Sequence, residues 1–100
     1  MPKYEILYLK TAETDLYEIF DYVSQDDPAA ALSLYQRIDD SISSLAQNPE
    51  LGTVPGDDRL KDMGYRMLVV GKYLVFYIIK EKVIQIRRII HGARKYSFLL

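Results

Sequence analysis

Apolar residues recur along this chain with two different periods. Ala12, Leu16, Ile19, Phe20 and Val23 follow one another in steps of three and four, which lines them along one side of a helix. Thr11 stands before them as an N-cap, and Glu13 and Asp15 fall in the first turn, where carboxylates suit the helix dipole. The spacing predicts a helix from about Ala12 to Ser24. Asp27-Pro28 restarts the pattern, with Asp as N-cap and Pro at the first helical position. Ala31, Leu34, Ile38, Ile42 and Leu45 then predict a second helix from Pro28 to about Gln47. The joint Gln25-Asp26-Asp27 is short, so the two helices are expected to be antiparallel neighbours.

Elsewhere the pattern belongs to strands. Tyr4 to Leu9 is a short run of β-formers. Asn48-Pro49 and Pro55-Gly56 mark a loop after the helices. Three β-branched and aromatic runs follow: Tyr65–Val70, Tyr73–Ile79 and Val83–Ile90. They are separated by Gly71-Lys72 and Lys80-Glu81-Lys82, short joints that favour antiparallel pairing. The order is β-α-α-β-β-β. It predicts an α+β fold, a helical hairpin packed on one face of an antiparallel sheet, with residues 1–100 as one domain. The other face is expected to be open. Tyr73–Ile79 is apolar on both parities, so alternation leaves its inward face undecided. A two-residue loop at Gly71-Lys72 would set Arg66 opposite Tyr77; a longer or bulged one would move Arg66 to the Leu74–Phe76 side.

Charge changes the picture more than composition does. Residues 1–58 carry three Lys/Arg against twelve Asp/Glu, a balance of −9. Residues 59–100 carry ten against two, a balance of +8, although the whole chain sums to −1. Such asymmetry suggests that the basic half meets an acidic macromolecule, unless the two halves simply attract each other. With no Cys and a single His, disulfides, thiolate metal sites and multi-histidine sites are excluded, and no metal or other cofactor is expected. No apolar run approaches the ~18 residues of a membrane span. The first residues lack the apolar core of a signal peptide, so the expectation is a cytoplasmic protein without membrane contact.

Several fragments then fall into a familiar order. Ala12-Glu13-Thr14-Asp15-Leu16-Tyr17-Glu18-Ile19 leads to Asp21-Tyr22-Val23, and Asn48-Pro49 precedes Gly52. Gly64-Tyr65-Arg66, Tyr73-Leu74-Val75-Phe76-Tyr77 and Arg88-Ile89-Ile90-His91-Gly92-Ala93-Arg94 follow. With the element order, the chain resembles the RelE/ParE superfamily of bacterial toxins along essentially its whole length. The resemblance implies a growth-inhibiting toxin of a type II toxin–antitoxin (plasmid stabilisation) system, neutralised by a cognate protein antitoxin. RelE-like members cut messenger RNA on the ribosome, whereas ParE-like members poison DNA gyrase. Either target, gyrase or ribosome and mRNA, is thus an expected partner.

RNA cleavage through the 2′-hydroxyl needs a base, an acid and cations around the phosphorane. The basic half offers Lys61, Arg66, Arg87, His91, Arg94 and Tyr96. By the resemblance, Arg66 matches the first cationic position of the second strand in RelE-like nucleases, and Arg94 matches their cation beyond the last strand. Tyr96 loosely matches a C-terminal catalytic aromatic. The remaining two cationic positions are Leu68 and Leu74, and losing one such group costs about 10²–10³ in rate. If the chain is a nuclease, a metal-independent endoribonuclease, the catalytic set is Arg66, His91, Arg94 and Tyr96. The leaning is to gyrase inhibition, with target contact through Lys61, Arg66, Arg87, Arg94 and Lys95. An inactive toxin-like binding module is the third reading.

Each residue also has a plainer role. Arg66 could sit on the strand edge and pair with an acidic loop residue, and Arg88, which shares parity with Ile84, Ile86 and Ile90, is expected to reach a helix carboxylate. Arg87 shares parity with Gln85 and His91 and is the better open-face candidate. Tyr73 and Tyr77 could stack bases, but strand tyrosines are more often packing residues. The basic half further predicts that the antitoxin supplies an acidic or extended segment, laid across the sheet or between helix and sheet edge, whose binding weakens with salt.

Overall fold

The computed structural model describes residues 3–93. The chain enters on strand β1 (Glu5–Tyr8) and turns into helices α1 (Lys10–Ser24) and α2 (Pro28–Ser43). A one-turn 3₁₀ segment, Ser44–Ala46, closes α2. A loop then carries a short helix, α3 (Asp58–Asp62), and strands β2 (Tyr65–Val70), β3 (Tyr73–Lys80) and β4 (Val83–His91) complete the fold.

Local chemistry explains most of the boundaries. The Asp27 side chain accepts from the Ala30 N–H at 3.1 Å with Pro28 behind it, as the sequence implies. Thr11, by contrast, is not the cap of α1. The helix starts at Lys10 behind Leu9, and the Thr11 hydroxyl donates instead to the Arg87 carbonyl at 3.0 Å, tying α1 to β4. The α2 stripe runs on to Leu45 only by tightening into 3₁₀ geometry. Hydroxyls compete with the helix ladder there: Ser41 donates to the Arg37 carbonyl and Ser44 to the Ser41 carbonyl. Asp57 caps α3 by accepting from the Arg59 and Leu60 N–H groups. The Arg59 N–H foremost holds the Asp57 carboxyl below its usual range.

The sheet has the order β1-β4-β3-β2. The three C-terminal strands pair antiparallel in sequence order, and β1 joins parallel to β4, so the sheet is mixed. Gly71, with φ +60°, turns the first hairpin with a two-residue loop, and Arg66 therefore faces Tyr77. Lys80 pairs with Val83, so the second hairpin also has two loop residues, and Glu81 takes φ +59°. Between Phe76 and Tyr77 the register slips: Phe76 pairs with Arg88 and Tyr77 with Ile86, leaving Arg87 as a bulge.

Both faces of the sheet are apolar. Ala12, Leu16, Ile38, Ile42 and Leu45 of the helical layer pack on Leu68, Val70, Val75, Tyr77, Ile84, Ile86 and Ile89. The far face carries a second cluster, Tyr65, Phe76 and Ile90, under Leu60 of α3. Tyr65 is only 3% exposed and Phe76 fully buried. This is why Tyr73–Ile79 is apolar on both parities, and it corrects the expectation of an open basic face. None of the helices among the described residues is long and apolar enough to cross a membrane.

Candidate functional site

The cations of the strand half lie in distinct environments. Arg66 shares the helix-side face with Tyr77, its partner across the ladder. Its Nε and Nη2 donate to the Gly52 carbonyl at 3.2 and 2.7 Å, and Nη2 also reaches the Glu50 carbonyl at 3.2 Å. Beside it the buried Tyr77 hydroxyl donates to the Pro49 carbonyl at 2.8 Å and accepts from the Gly52 N–H at 2.9 Å. Thr53 bonds both ways with Met67, so residues 49–53 are clamped onto the edge of β2. Gly52 is required there: a Cβ would lie 2.7 Å from the Tyr77 hydroxyl and 2.8 Å from the Met67 carbonyl. Of the five guanidinium N–H groups, the two on Nη1 have no partner among the described residues.

Arg87 projects from the bulge onto the far face. Its guanidinium carbon stands 5.7 Å from the centre of the Tyr65 ring, and Nη1 donates to Gln85 Oε1 at 3.1 Å. No carboxylate pairs with it among the described residues. Its neighbour Arg88 is anchored to α1. Arg88 Nε donates to Asp15 Oδ2 at 2.7 Å and Nη2 to Oδ1 at 3.0 Å, while the Ile89 N–H bonds Oδ2 as well. That hydrogen-bonded carboxylate raises the Arg88 pKa further. The helix carboxylate expected for Arg88 is therefore Asp15.

His91 ends β4 opposite Tyr73, their rings 5.4 Å apart and nearly perpendicular. Its Nδ1 accepts from the Ala93 N–H at 3.0 Å, so a neutral ring carries its proton on Nε2. The bulge moves His91 out of step with Arg87: Gln85 and Arg87 meet on the far face, whereas His91 joins the row of Tyr73, which packs against the helix-side core. Lys61 is exposed on α3. Arg94, Lys95 and Tyr96 lie outside the described residues. Arg66 and Arg87 thus stand on opposite faces. His91 sits in the row of Tyr73, four residues along β3 from Arg66's partner Tyr77, or about 13 Å of strand. Leu68 and Leu74 are packing residues, the first in the main core and the second in the far cluster.

One concave feature escaped the sequence reading. Between α1 and α2 lies a groove of about 750 Å³ walled by Tyr8, Leu16, Tyr17, Phe20, Leu32 and Tyr35, with Lys10, Glu13 and Asp39 on its borders. The Tyr8 hydroxyl donates to Asp39 Oδ1 at 2.8 Å. Burial first, and then the Asp39 carboxylate, push the Tyr8 phenol well above its usual range. The signal was the apolar and aromatic residues left outside the core stripes, Tyr17, Leu32 and Tyr35, which line the groove together with Phe20.

Comparison with known proteins decides the family. Residues 6–96 match the model for the ParE toxin of type II toxin–antitoxin systems. The chain belongs to this family. Within the wider RelE/ParE superfamily it is 33% identical to Toxin RelE2 of Caulobacter vibrioides over 91 residues, covering 90% of this chain and 97% of that one. Among solved structures it resembles the chromosomal ParDE system of P. aeruginosa with a TM-score of 0.76 at 25% identity, covering 91% and 98% of the two chains. It also shares the fold of the RelBE2 toxin–antitoxin complex of Mycobacterium tuberculosis, with a TM-score of 0.63 at 20% identity over 89% and 98%.

Proposed function

We propose that this chain acts in the ParE manner, as a growth-inhibiting toxin that binds DNA gyrase and is neutralised by a cognate antitoxin. The family match across residues 6–96 carries the reading. Two features support it. Leu68 and Leu74 stand where RelE-like nucleases bear cations, and both are committed to packing. The acid, base and cation that RNA cleavage needs do not converge among the described residues, since Arg66 and Arg87 lie on opposite faces and His91 lies rows away. Contact with gyrase is assigned to Arg87, whose guanidinium is held by Tyr65 and Gln85 without a carboxylate partner among the described residues, and to the further cations Lys61, Arg66, Arg94 and Lys95. Purified protein titrated into a gyrase assay is expected to abolish supercoiling without cutting RNA. Undiminished supercoiling at saturating protein ends this reading.

A RelE-like endoribonuclease is the second reading, and two observations favour it. Arg66 keeps two N–H groups for a phosphate, and His91 presents an Nε2 proton at the surface. Arg94 and Tyr96 would complete that set. His91→Asn and Arg94→Ala should then relieve toxicity in a folded protein; full toxicity in both variants excludes this mechanism.

A further inference from the structure

One end of the sheet gathers cations from three separate stretches of chain. There β2 turns into β3 through Gly71 and Lys72, and Tyr73 just beyond the turn pairs with His91 at the end of β4. The Gly92 N–H donates to the Lys72 carbonyl at 2.8 Å, which fixes the turn against the end of that strand. Helix α2 brings Arg37 onto the same turn. A Cβ on Gly71 would stand only 3.2 Å from Arg37 Nη1, so the bare glycine leaves room for the guanidinium to lie over the turn. Arg37 is the single cation between Lys10 and Arg59, an isolated positive charge in the acidic half of the chain.

Arg37, Lys72 and His91 are all exposed, and no carboxylate pairs with any of them among the described residues. The acidic neighbours on α2 do not neutralise Arg37. Asp39 accepts from the Tyr8 hydroxyl, and Asp40, three residues along the helix, forms no ion pair with it. His91 spends Nδ1 on the Ala93 N–H, which leaves the Nε2 proton as its outward donor. A planar guanidinium fork, an ammonium and an imidazole N–H therefore stand around one tight turn, and each can bond a phosphate oxygen. Gly71-Lys72 and His91-Gly92 offer no large apolar side chain for a partner protein to bury. Val69, 61% exposed nearby, belongs instead to the row of Leu74 on the far face. Charge without an apolar centre suits a sugar–phosphate backbone, which is held by cations and carries no sequence to read.

We infer that Arg37, Lys72 and His91 form a contact surface for the phosphate backbone of duplex DNA. The choice of DNA rests on the gyrase reading above: Arg87 on the far face meets the enzyme, and this end of the sheet meets the duplex that the enzyme holds. The acidic helical half, with −9 over residues 1–58, turns the rest of the helical layer away from the same backbone.

Binding of the purified full chain to a short fluorescein-labelled duplex, followed by anisotropy over a salt series, tests this surface without gyrase present. The affinity should fall linearly with salt on logarithmic axes. Replacing both Arg37 and Lys72 by Ala should weaken binding at least tenfold at low salt and make the salt slope shallower by about two, since each phosphate contact contributes about −0.9 to it. Both side chains are exposed, so thermal unfolding of that variant should match the parent. The pair Arg37→Lys with Lys72→Arg should retain the affinity and the slope. Absence of duplex binding overturns the inference, as does an unchanged slope in the double Ala variant or an equal loss in the charge-preserving pair. Single-stranded RNA of equal length held more tightly than the duplex assigns the surface to RNA and overturns it. Poly-glutamate held as tightly as the duplex assigns it to an acidic protein, which also overturns it. A chain that binds the duplex as described but leaves supercoiling undiminished ends the gyrase reading and leaves this surface standing.

Discussion

Arg87 and Arg88 are neighbours in the chain, yet they belong to different regions of the molecule. Arg88 is gripped by Asp15 of α1 through two guanidinium bonds, and the same carboxylate takes the Ile89 N–H. Arg87 rides the bulge onto the far face, over Tyr65, and its guanidinium donates to the neutral Gln85 amide, with no carboxylate partner among the described residues. A third arginine, Arg66, lies between these extremes: three of its N–H groups bind loop carbonyls and two have no partner among the described residues. Positive charge in the strand half is therefore not one uniform surface. Some of it fastens the helices and the 49–53 loop to the sheet. The part available to a partner is the part that no carboxylate or carbonyl has already claimed.

Substitutions can break this contrast, and Asp15→Ala should act most strongly. It strands a half-buried guanidinium and a backbone N–H together, which costs about 3 kcal/mol. A loss of that size lowers the melting temperature of a domain this long by roughly 10–20 °C, readable by thermal unfolding. Tyr77→Phe comes next, because it leaves the Gly52 N–H and the Pro49 carbonyl without their partner, at about 1–3 kcal/mol in denaturant unfolding. Arg87→Ala should change stability by no more than about 0.5 kcal/mol, as for an ordinary surface site. On the gyrase reading proposed above, its effect should appear instead as at least a tenfold weaker inhibition of supercoiling. A stability loss matching that of Asp15→Ala would erase the distinction between the two arginines.

The smallest effect is an alkaline one at Tyr8. Its folded-state pKa lies above the unfolded value, so the folded chain keeps a proton that the unfolded chain releases above about pH 10. Stability that is whole below that pH should decline as pH rises further, and Tyr8→Phe should flatten the decline in a pH series of unfolding midpoints.

Much of the fold was legible because it is governed locally. The three- and four-residue apolar steps fixed both long helices and Asp27-Pro28 started the second, whereas the Gly71-Lys72 joint left two registers open, of which the fold takes the one that sets Arg66 across from Tyr77. What stayed hidden depends on distant partners. A one-turn helix such as α3 has too few residues to show a period, and its single inward residue, Leu60, matters only because a second apolar cluster lies beneath it. The bulge at Arg87 leaves no sign in the apolar alternation, so parity grouped His91 with the wrong face. Thr11 looked like a cap because its hydroxyl has a cap's chemistry, but the Arg87 carbonyl captures it. For the candidate site, residue types were readable and their separation onto two faces was not.

The pairing of β1 with β4 also sets a schedule for the newborn polypeptide. Residues near the front of the chain find their strand partner only in residues near its end, the most distant contact the sheet contains. Until that final stretch has emerged, β1 has no neighbour to lie against, and closing so large a loop delays assembly. A growing chain therefore lacks its completed sheet until β4 itself has been made, so the finished architecture is gained late and all at once.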